Sequence, residues 1–457
     1  MSIIKQAKKI IDSKRILFTT PAHAGGKNIL PEFKDLVGEK VFSADLSEIE
    51  DMDNLQNPSG IIKNSMENAA RIYGTKKTFY LPNGSTSGII ALMLATSQKE
   101  EKILIARNAH KSVINALTLS GACPIWINPE YEEEWNIFSS INPEKIKQKL
   151  EEDPEIKSVW ITSPTYEGVV SDIKAISELC KEKNVFLIVD EAHGALYSFS
   201  DRLPTSALKL GADACVQSLH KTGGAFTQGA VLHLGETSRI CPEKLTNCLN
   251  LINTTSPSYL ILASIEASIL YLDSAEGRQS LENLLLDIEK TKDFLSKNLD
   301  ISFLKSSDKY IHDPTKLVFK LNGYNGSDIA DVLLEKFNIE VEMDNETWLL
   351  ALTGIGTTRE KLDKFAEALI QVETFLEKTN NNYSKYVLSE PEIVFTPAEV
   401  FGKKTEKISV FDAGGRICAE TIVNYPPGIP LIAVGEKVKP EHLPVLEGRK
   451  VLEVVFE

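Results

Sequence analysis

The sequence predicts an α/β protein in which a mainly parallel sheet, covered by helices, is followed by a smaller α+β C-terminal domain. Three observations carry that expectation. From about Tyr73 to Gly235 short apolar runs alternate with longer helical patterns, as repeated strand-helix-strand units require. The runs are apolar at consecutive positions, which fits strands buried on both faces. Hydrophobic residues make up 42% and charged residues 25% of the 457, ordinary usage that excludes collagen-like, coiled-coil and wholly disordered chains.

Taken in order, Met1 to Arg15 places Ile3, Ile4, Ala7, Ile10 and Ile11 at helical spacing among Lys5, Lys8, Lys9 and Lys14, an amphipathic helix. It lacks the apolar core and small-residue cleavage site of a signal peptide, and no later stretch reaches the roughly 18 apolar residues of a membrane span. A cytoplasmic protein is expected. Strands are predicted at 102–106 (KILIA), 158–162 (SVWIT), 185–189 (VFLIV), 214–217 and 230–234, with helices at 85–97, 112–120, 143–150 and 173–183. A long helical stretch over 264–299, broken only near Gly277, leads to a strand (KLVFKL), a helix (DIADVLLEKF), two strands (IEVEM, TWLLAL) and a helix at 359–378, a small sheet packed by helices on one face. The polar loop Thr379 to Tyr383 and a Pro- and Gly-rich segment containing YPPGIP (Tyr425 to Pro430) close the chain. The expected division is an N-terminal segment 1–70, a large domain 71–263, a connecting helix 264–300, a small α+β domain 301–378 and a C-terminal subdomain 379–457.

Charge and cysteine usage narrow the function. Fifty Lys and Arg against 64 Asp and Glu give a formal charge of −14, which repels nucleic acid and anionic membrane at long range. Neither is expected as a partner. The cysteines, Cys123, Cys180, Cys215, Cys241, Cys248 and Cys418, show no two-residue gap of the zinc or redox kind, so free thiols in a reducing compartment and no metal are expected.

The chemistry gathers at strand ends. Ser218-Leu219-His220-Lys221-Thr222-Gly223-Gly224 follows the strand ending near Gln217: a lysine beside a hydroxyl and an imidazole, with glycines that let the backbone turn closely past a ring, has the parts of a Schiff-base site. The strand before it ends in Asp190-Glu191-Ala192-His193-Gly194, and a carboxylate at that mouth can pair with a pyridinium nitrogen. The letters DEAH also occur in nucleic-acid helicases, but those need an upstream G-x-x-x-x-G-K-[ST] loop, and Gly26-Lys27 continues with Asn28 and has Pro21 in place of the first glycine. Pro82-Asn83-Gly84-Ser85-Thr86-Ser87-Gly88 precedes a helix, where hydroxyls and free amides form an anion site. Arg107-Asn108-Ala109-His110-Lys111-Ser112 puts His110 at the mouth of KILIA, placed to stack on a planar ring.

Together these segments resemble the pyridoxal-phosphate enzymes of aspartate-aminotransferase fold (fold type I), and more narrowly the ornithine/lysine/arginine decarboxylase family. The narrower resemblance rests on NGSTSG, RNAHKS, SPTYEG (Ser163 to Gly168), DEAHG, QSLHKTGGAFTQ, TTSPSYLILASIE and the terminal GRICAETIVNYPPGIPLIAVGE, in order from about residue 18 to 436. It implies pyridoxal 5′-phosphate as cofactor, with Lys221 forming the Schiff base, Asp190 on the pyridine nitrogen, His110 stacked on one ring face and Ala192 beneath the other. Ser85, Thr86, Ser87, Ser218 and His220 would hold the phosphate, Thr165 and His193 would complete the cofactor-contacting set, and Glu342 would receive the distal cation of the substrate. His220 and Lys221 are the candidate proton donors. A homodimer or dimer of dimers, with active sites at the interface, is further implied, Thr255 and Ser256 reaching the neighbouring subunit's phosphate. The implied reaction is decarboxylation of a basic amino acid, arginine (to agmatine) ahead of lysine or ornithine, in polyamine biosynthesis.

The sequence departs from the family in having no N-terminal receiver-like domain, in Ala22 and Ala24 within Thr20 to Gly26, and in Gly224-Ala225-Phe226 after the lysine. Two alternatives stand beside this reading. An aminotransferase or aldolase-type enzyme on the same fold needs an arginine for the α-carboxylate, for which Arg416 is available. A silent binding paralogue need keep none of Lys221, Asp190, His110 and the phosphate hydroxyls.

Overall fold

The computed structural model describes residues 2–379, 390–424, 429–443, 446 and 449–456. Seven strands form the large sheet: β1 (Lys77–Leu81), β2 (Lys102–Ala106), β3 (Cys123–Ile127), β4 (Ser158–Thr162), β5 (Phe186–Asp190), β6 (Ala214–Gln217) and β7 (Ala230–Leu234), in the order β1-β7-β6-β5-β4-β2-β3. The pairings among β2 to β6 are parallel, and β7 runs antiparallel to both neighbours, Val231 opposite Gln217 and Leu81 opposite Ala230. β1 and β3 were absent from the predicted strands. Lys77 opens the first, and Pro124 with a half-buried alternation blurs the second.

The helix Gly84–Thr96 follows β1 and is apolar on nearly every face, as a helix enclosed in a core must be. At Gly88 it approaches the sheet so closely that a Cβ would stand 2.7 Å from Leu81 Cδ1 and 2.9 Å from Val216 Cγ1. The predicted break in the long helical stretch lies three residues earlier than Gly277. The chain forms Tyr259–Asp273 and Ala275–Asn298, and Ser274 caps the second by accepting from Gly277 N. Gly277 is needed for another reason: a Cβ there would meet the Tyr271 carbonyl oxygen at 1.8 Å. At the amino end, the helix Ile3–Asp12 forms as the spacing predicts. The buried Glu266 carboxylate caps it, accepting from the amides of Ile3 and Ile4 at 3.1 and 3.0 Å and from Ser65 Oγ at 2.6 Å.

A second sheet, all antiparallel, comprises β8 (Ile301–Phe303), β9 (Lys316–Leu321), β10 (Met343–Asp344) and β11 (Leu349–Leu352) in the order β8-β9-β11-β10. Strand alternation sorts its faces. Phe319, Leu321 and Leu349 pack with Leu295, Ile329, Phe365 and Leu369 from the helices, whereas Val318 and Leu350 pack with Trp135, Ile137 and Val169 of the large-sheet region. The second face therefore sets the small sheet against the segments around 135–137 and 169 that border the large sheet. The predicted strand IEVEM is reduced to β10, and residues 339–342 run as coil.

In the C-terminal part, β12 (Thr405–Ser409) pairs antiparallel with β13 (Val451–Val455). Buried Glu436 forms a bidentate ion pair with buried Arg107 just beyond β2, Nη2 to Oε2 at 2.7 Å, and Arg107 also donates to the Leu431 carbonyl at 2.9 Å. Removing either partner would leave an unpaired buried charge and cost about 3–5 kcal/mol. Asn380 to Tyr383 of the predicted polar loop, and Tyr425 to Gly428 of YPPGIP, lie outside the described residues. Among the described residues no helix is long and apolar enough to cross a membrane.

Candidate active site

Ligands of open parallel sheets bind beyond the carboxyl ends of the strands, and here a cavity of about 290 Å³ opens there. Its wall carries Ser85, His110, Thr165, Asp190, Ala192, His193 and Lys221, so seven residues predicted separately along the sequence meet at one place. Asp190 ends β5 with 8% exposure and accepts from Ala192 N at 3.2 Å. Lys221 sits in the one-turn helix Leu219–Thr222 after β6, its Nζ 2.9 Å from His193 Nε2. Burial lowers its pKa against the opposing pull of Asp190 and Glu342. His110 caps the helix Lys111–Ser120, its Nδ1 accepting from Ser112 N at 3.2 Å, which leaves the ring on the cavity wall. Thr165 Oγ1 accepts from Val169 N at 3.2 Å.

The predicted anion site divides. Ser85 Oγ and Ser218 Oγ are 2.9 Å apart, joining the helix start after β1 to the end of β6, with Thr86 half-buried beside them. Ser87 turns inward and donates to the Gly84 carbonyl at 2.7 Å. His220 stands outside the cavity wall, Nδ1 3.2 Å from the Gly229 carbonyl, with its pKa lowered by burial. Thr255 and Ser256 lie on an exposed loop away from this chain's own cavity.

A second, wider cavity of about 880 Å³ adjoins the first through Lys221. His220, Glu340, Glu342, Thr353, Gly354, Lys361 and Phe365 are among its lining residues. The hydroxyl of Tyr166 donates to Glu342 Oε1, while its ring lies 4.5 Å from the His193 ring and 5.8 Å from Lys221 Nζ. Tyr166 thus links the two cavities.

Tyr166, Glu167 and Lys316 have no role in the sequence-based expectation. Tyr166 stood in the SPTYEG segment, but its partner is 176 residues away. Lys316 opens an apolar strand, where a lysine ordinarily marks the solvated end, yet it is fully buried with Nζ 2.6 Å from His193 Nδ1. Glu191 is also buried. Its carboxylate accepts from Ser206 Oγ, Ala207 N and Gln217 Nε2, and burial still pushes its pKa up to about 7.

Against known proteins, residues 3–323 match the family described as Orn/Lys/Arg decarboxylase, major domain, and residues 378–455 match its C-terminal domain. The chain belongs to the Orn/Lys/Arg decarboxylase family. Curated relatives of this family include the arginine decarboxylase of Bacillus subtilis, 36% identical over 95% of this chain and 91% of that protein, and that of Halalkalibacterium halodurans, 32% identical over 94% and 89%. The solved lysine decarboxylase A of Pseudomonas aeruginosa superposes with a TM-score of 0.87 at 19% identity, covering 99% of this chain and 80% of that one. As an Orn/Lys/Arg decarboxylase the protein is a carboxy-lyase of pyridoxal-phosphate fold type I, with the mainly parallel sheet and smaller domain the sequence predicts.

The inner cavity fits pyridoxal phosphate by its donor set. It has a helix start with Ser85 at one side, suited to an anion, a carboxylate at Asp190, a lysine between them, and on its wall the buried Oδ1 of Asn108, which has no hydrogen-bond partner among the described residues. Its volume lies near the lower end of the roughly 300–1,000 Å³ typical of ligand sites.

Proposed function

We propose that this decarboxylase acts on arginine, using pyridoxal 5′-phosphate held in the inner cavity and the wider cavity to receive the substrate side chain. The observation that carries this reading is the position of Lys221 at the junction of the two, with Asp190 on one wall and Glu342 on the other. The cofactor supplies the electron sink that accepts the pair left when carbon dioxide departs. In this reading Lys221 is its anchoring amine, Asp190 keeps its ring nitrogen protonated, and His110 and Ala192 confine the ring between them. Ser85, Thr86 and Ser218, with the helix amides, would hold its phosphate. Ser87 is committed to Gly84, so it contributes its amide rather than its hydroxyl. Thr165 and His193 border the ring.

Glu342, oriented by Tyr166, would accept the distal cation of the substrate; charge-assisted bonds of this kind are the strong ones. Arginine is placed first because relatives that carry that name are 32–36% identical to this chain, whereas relatives named lysine decarboxylase are 22–23% identical. His220 faces the wider cavity beside Lys221, from which it would hold or pass a proton. Two copies would complete the assembly. Ile16, Phe18, Leu30 and Leu36 are 84%, 98%, 66% and 81% exposed in the N-terminal segment, and Leu251 is 80% exposed just ahead of Thr255 and Ser256, apolar surface that a second copy would cover. A reducing, cytoplasmic setting suits the free cysteines.

Carbon dioxide release from arginine, lysine, ornithine and a non-basic amino acid tests the reading, with Lys221→Ala as control. Release from arginine, lost in the control, is expected. Release from lysine or ornithine alone would overturn the substrate assignment.

A further inference from the structure

His193 stands between two lysines. Its Nε2 is 2.9 Å from Lys221 Nζ and its Nδ1 is 2.6 Å from Lys316 Nζ. Lys316 is fully buried, and His193 is the hydrogen-bond partner that its Nζ finds among the described residues. The chain makes room for it at Gly168 (φ +96°), where a Cβ would stand 2.7 Å from Lys316 Cγ.

Donor arithmetic constrains the charge of this row. An ammonium only donates, and a neutral imidazole has one donor and one acceptor nitrogen. Two ammonium groups would require the ring to accept on both sides and carry no proton at all. A doubly protonated ring would require two free amines. In every arrangement that keeps both hydrogen bonds, the three groups together carry at most one positive charge.

We propose that Lys221 and Lys316 share one ammonium proton across His193, Lys316 being a positioning residue that frees the Lys221 amine near neutral pH. The exchange balances. An N–H bond of the Lys221 ammonium breaks as His193 Nε2–H forms, and His193 Nδ1–H breaks as an N–H bond forms on the Lys316 amine. The charge moves about one side-chain width and no proton is lost to solvent. Deepening the reading that Lys221 anchors the cofactor, and resting on it, this gives the anchor what it needs, since only a free amine attacks an aldehyde.

The surroundings favour a shared charge on the lysines. Asp313, Glu167 and Glu342 act on Lys316, and Asp190 and Glu342 on Lys221. Burial is the largest cause lowering both, Lys316 to about 8. His193 is pushed well below its ordinary value by burial and then by Lys316, Lys221, His110 and His220, so the ring stays neutral. His312 and Lys292 lie on the Lys316 side, the Tyr197 hydroxyl donates to Asp313 at 3.0 Å, and Lys111 adjoins His110. Titration of coupled groups belongs to the pair rather than to one residue.

Trace acetylation of the 457-residue protein, freed of bound aldehydes by dialysis against hydroxylamine, reads the Lys221 amine directly. The rate of labelling of the Lys221 peptide by acetic anhydride is followed by mass spectrometry from pH 6 to 11 in wild type and Lys316→Met. Wild type is expected to label over a curve broader than one group's titration. The variant should show a single-group curve shifted up by about one pH unit, labelling about tenfold more slowly near pH 7.5. Identical single-group curves would overturn the proposal. Should the variant lack the wild-type melting transition, the wild-type curve decides alone: broad supports sharing, single-group refutes it. The readout involves no turnover, so a protein that labels as expected but releases no carbon dioxide from arginine would sink the substrate reading and leave this one standing.

Discussion

The two cavities that meet at Lys221 are built in opposite ways. The inner one takes its walls from strand ends of a single sheet, so His110, Asp190 and Lys221 each follow an apolar run that announces them, and Ser85 opens a helix announced by the NGSTSG segment. The wider one joins the turn around Lys221 to the coil at 338–342, the loop at 353–357 and the helix Arg359–Val372, and apart from that turn none of these carries a dense motif. On the proposed reading, cofactor chemistry would thus be placed by local strand-to-helix geometry. Side-chain selection, on the proposed reading, would be placed by the packing of the small sheet on the large-sheet region.

Substitution should separate these roles. Asp190→Asn, at the inner wall, is expected to lower kcat at least about 100-fold, the scale of losing one preorganised charge at a reacting centre, with little change in KM for arginine. Steady-state kinetics checks it. A loss confined to KM would break the division between the cavities.

Behind the same wall, Glu191 tests how far the inner cavity depends on buried polar support. Its folded pKa, raised to about 7 from an ordinary 4.5, means that the folded state holds the proton more tightly than the unfolded one. The associated stability is fully present below about pH 4.5 and is lost as pH rises through 7. Two and a half units correspond to about 3 kcal/mol. Wild type should therefore lose melting temperature between pH 5 and 8 by more than Glu191→Gln does; parallel melting profiles would refute the assignment.

At the outer wall, Glu342→Gln removes the negative charge while keeping an acceptor for Tyr166. KM for arginine should rise about tenfold, near the low end of a charge-assisted bond given the exposure of this side chain. The kcat should hold. Equal loss in both parameters would place Glu342 in the chemistry instead.

Legibility followed the same line. The strands KILIA, SVWIT and ACVQ stand where the apolar runs put them, because a strand buried on both faces leaves an uninterrupted signal. Cys123–Ile127 was missed because Pro124 and partial exposure break that signal, and IEVEM was overread because strand propensity at 339–342 finds a neighbour only at Met343 and Asp344. At the site, Lys221 and Asp190 could be found from their strands, whereas Lys316 could not. Its partner His193 is 123 positions away, and nothing in KLVFKL distinguishes a buried lysine from a solvated one. Contacts of this length are decided by how the small sheet packs on the loops of the large-sheet region, which local patterns do not encode.

The residue that joins the cavities should show the smallest and most informative effect. Tyr166→Phe keeps the ring against His193 and deletes only the hydroxyl that donates to Glu342. A single hydrogen bond is worth about 1 kcal/mol, so KM for arginine should rise about threefold to fivefold with kcat nearly unchanged. Tyr166→Leu also removes the ring, and should lower kcat as well by loosening His193 beside Lys221. If the phenylalanine variant already lost kcat, the hydroxyl would belong to the inner cavity, and the boundary drawn at Lys221 would have to move outward to include Glu342.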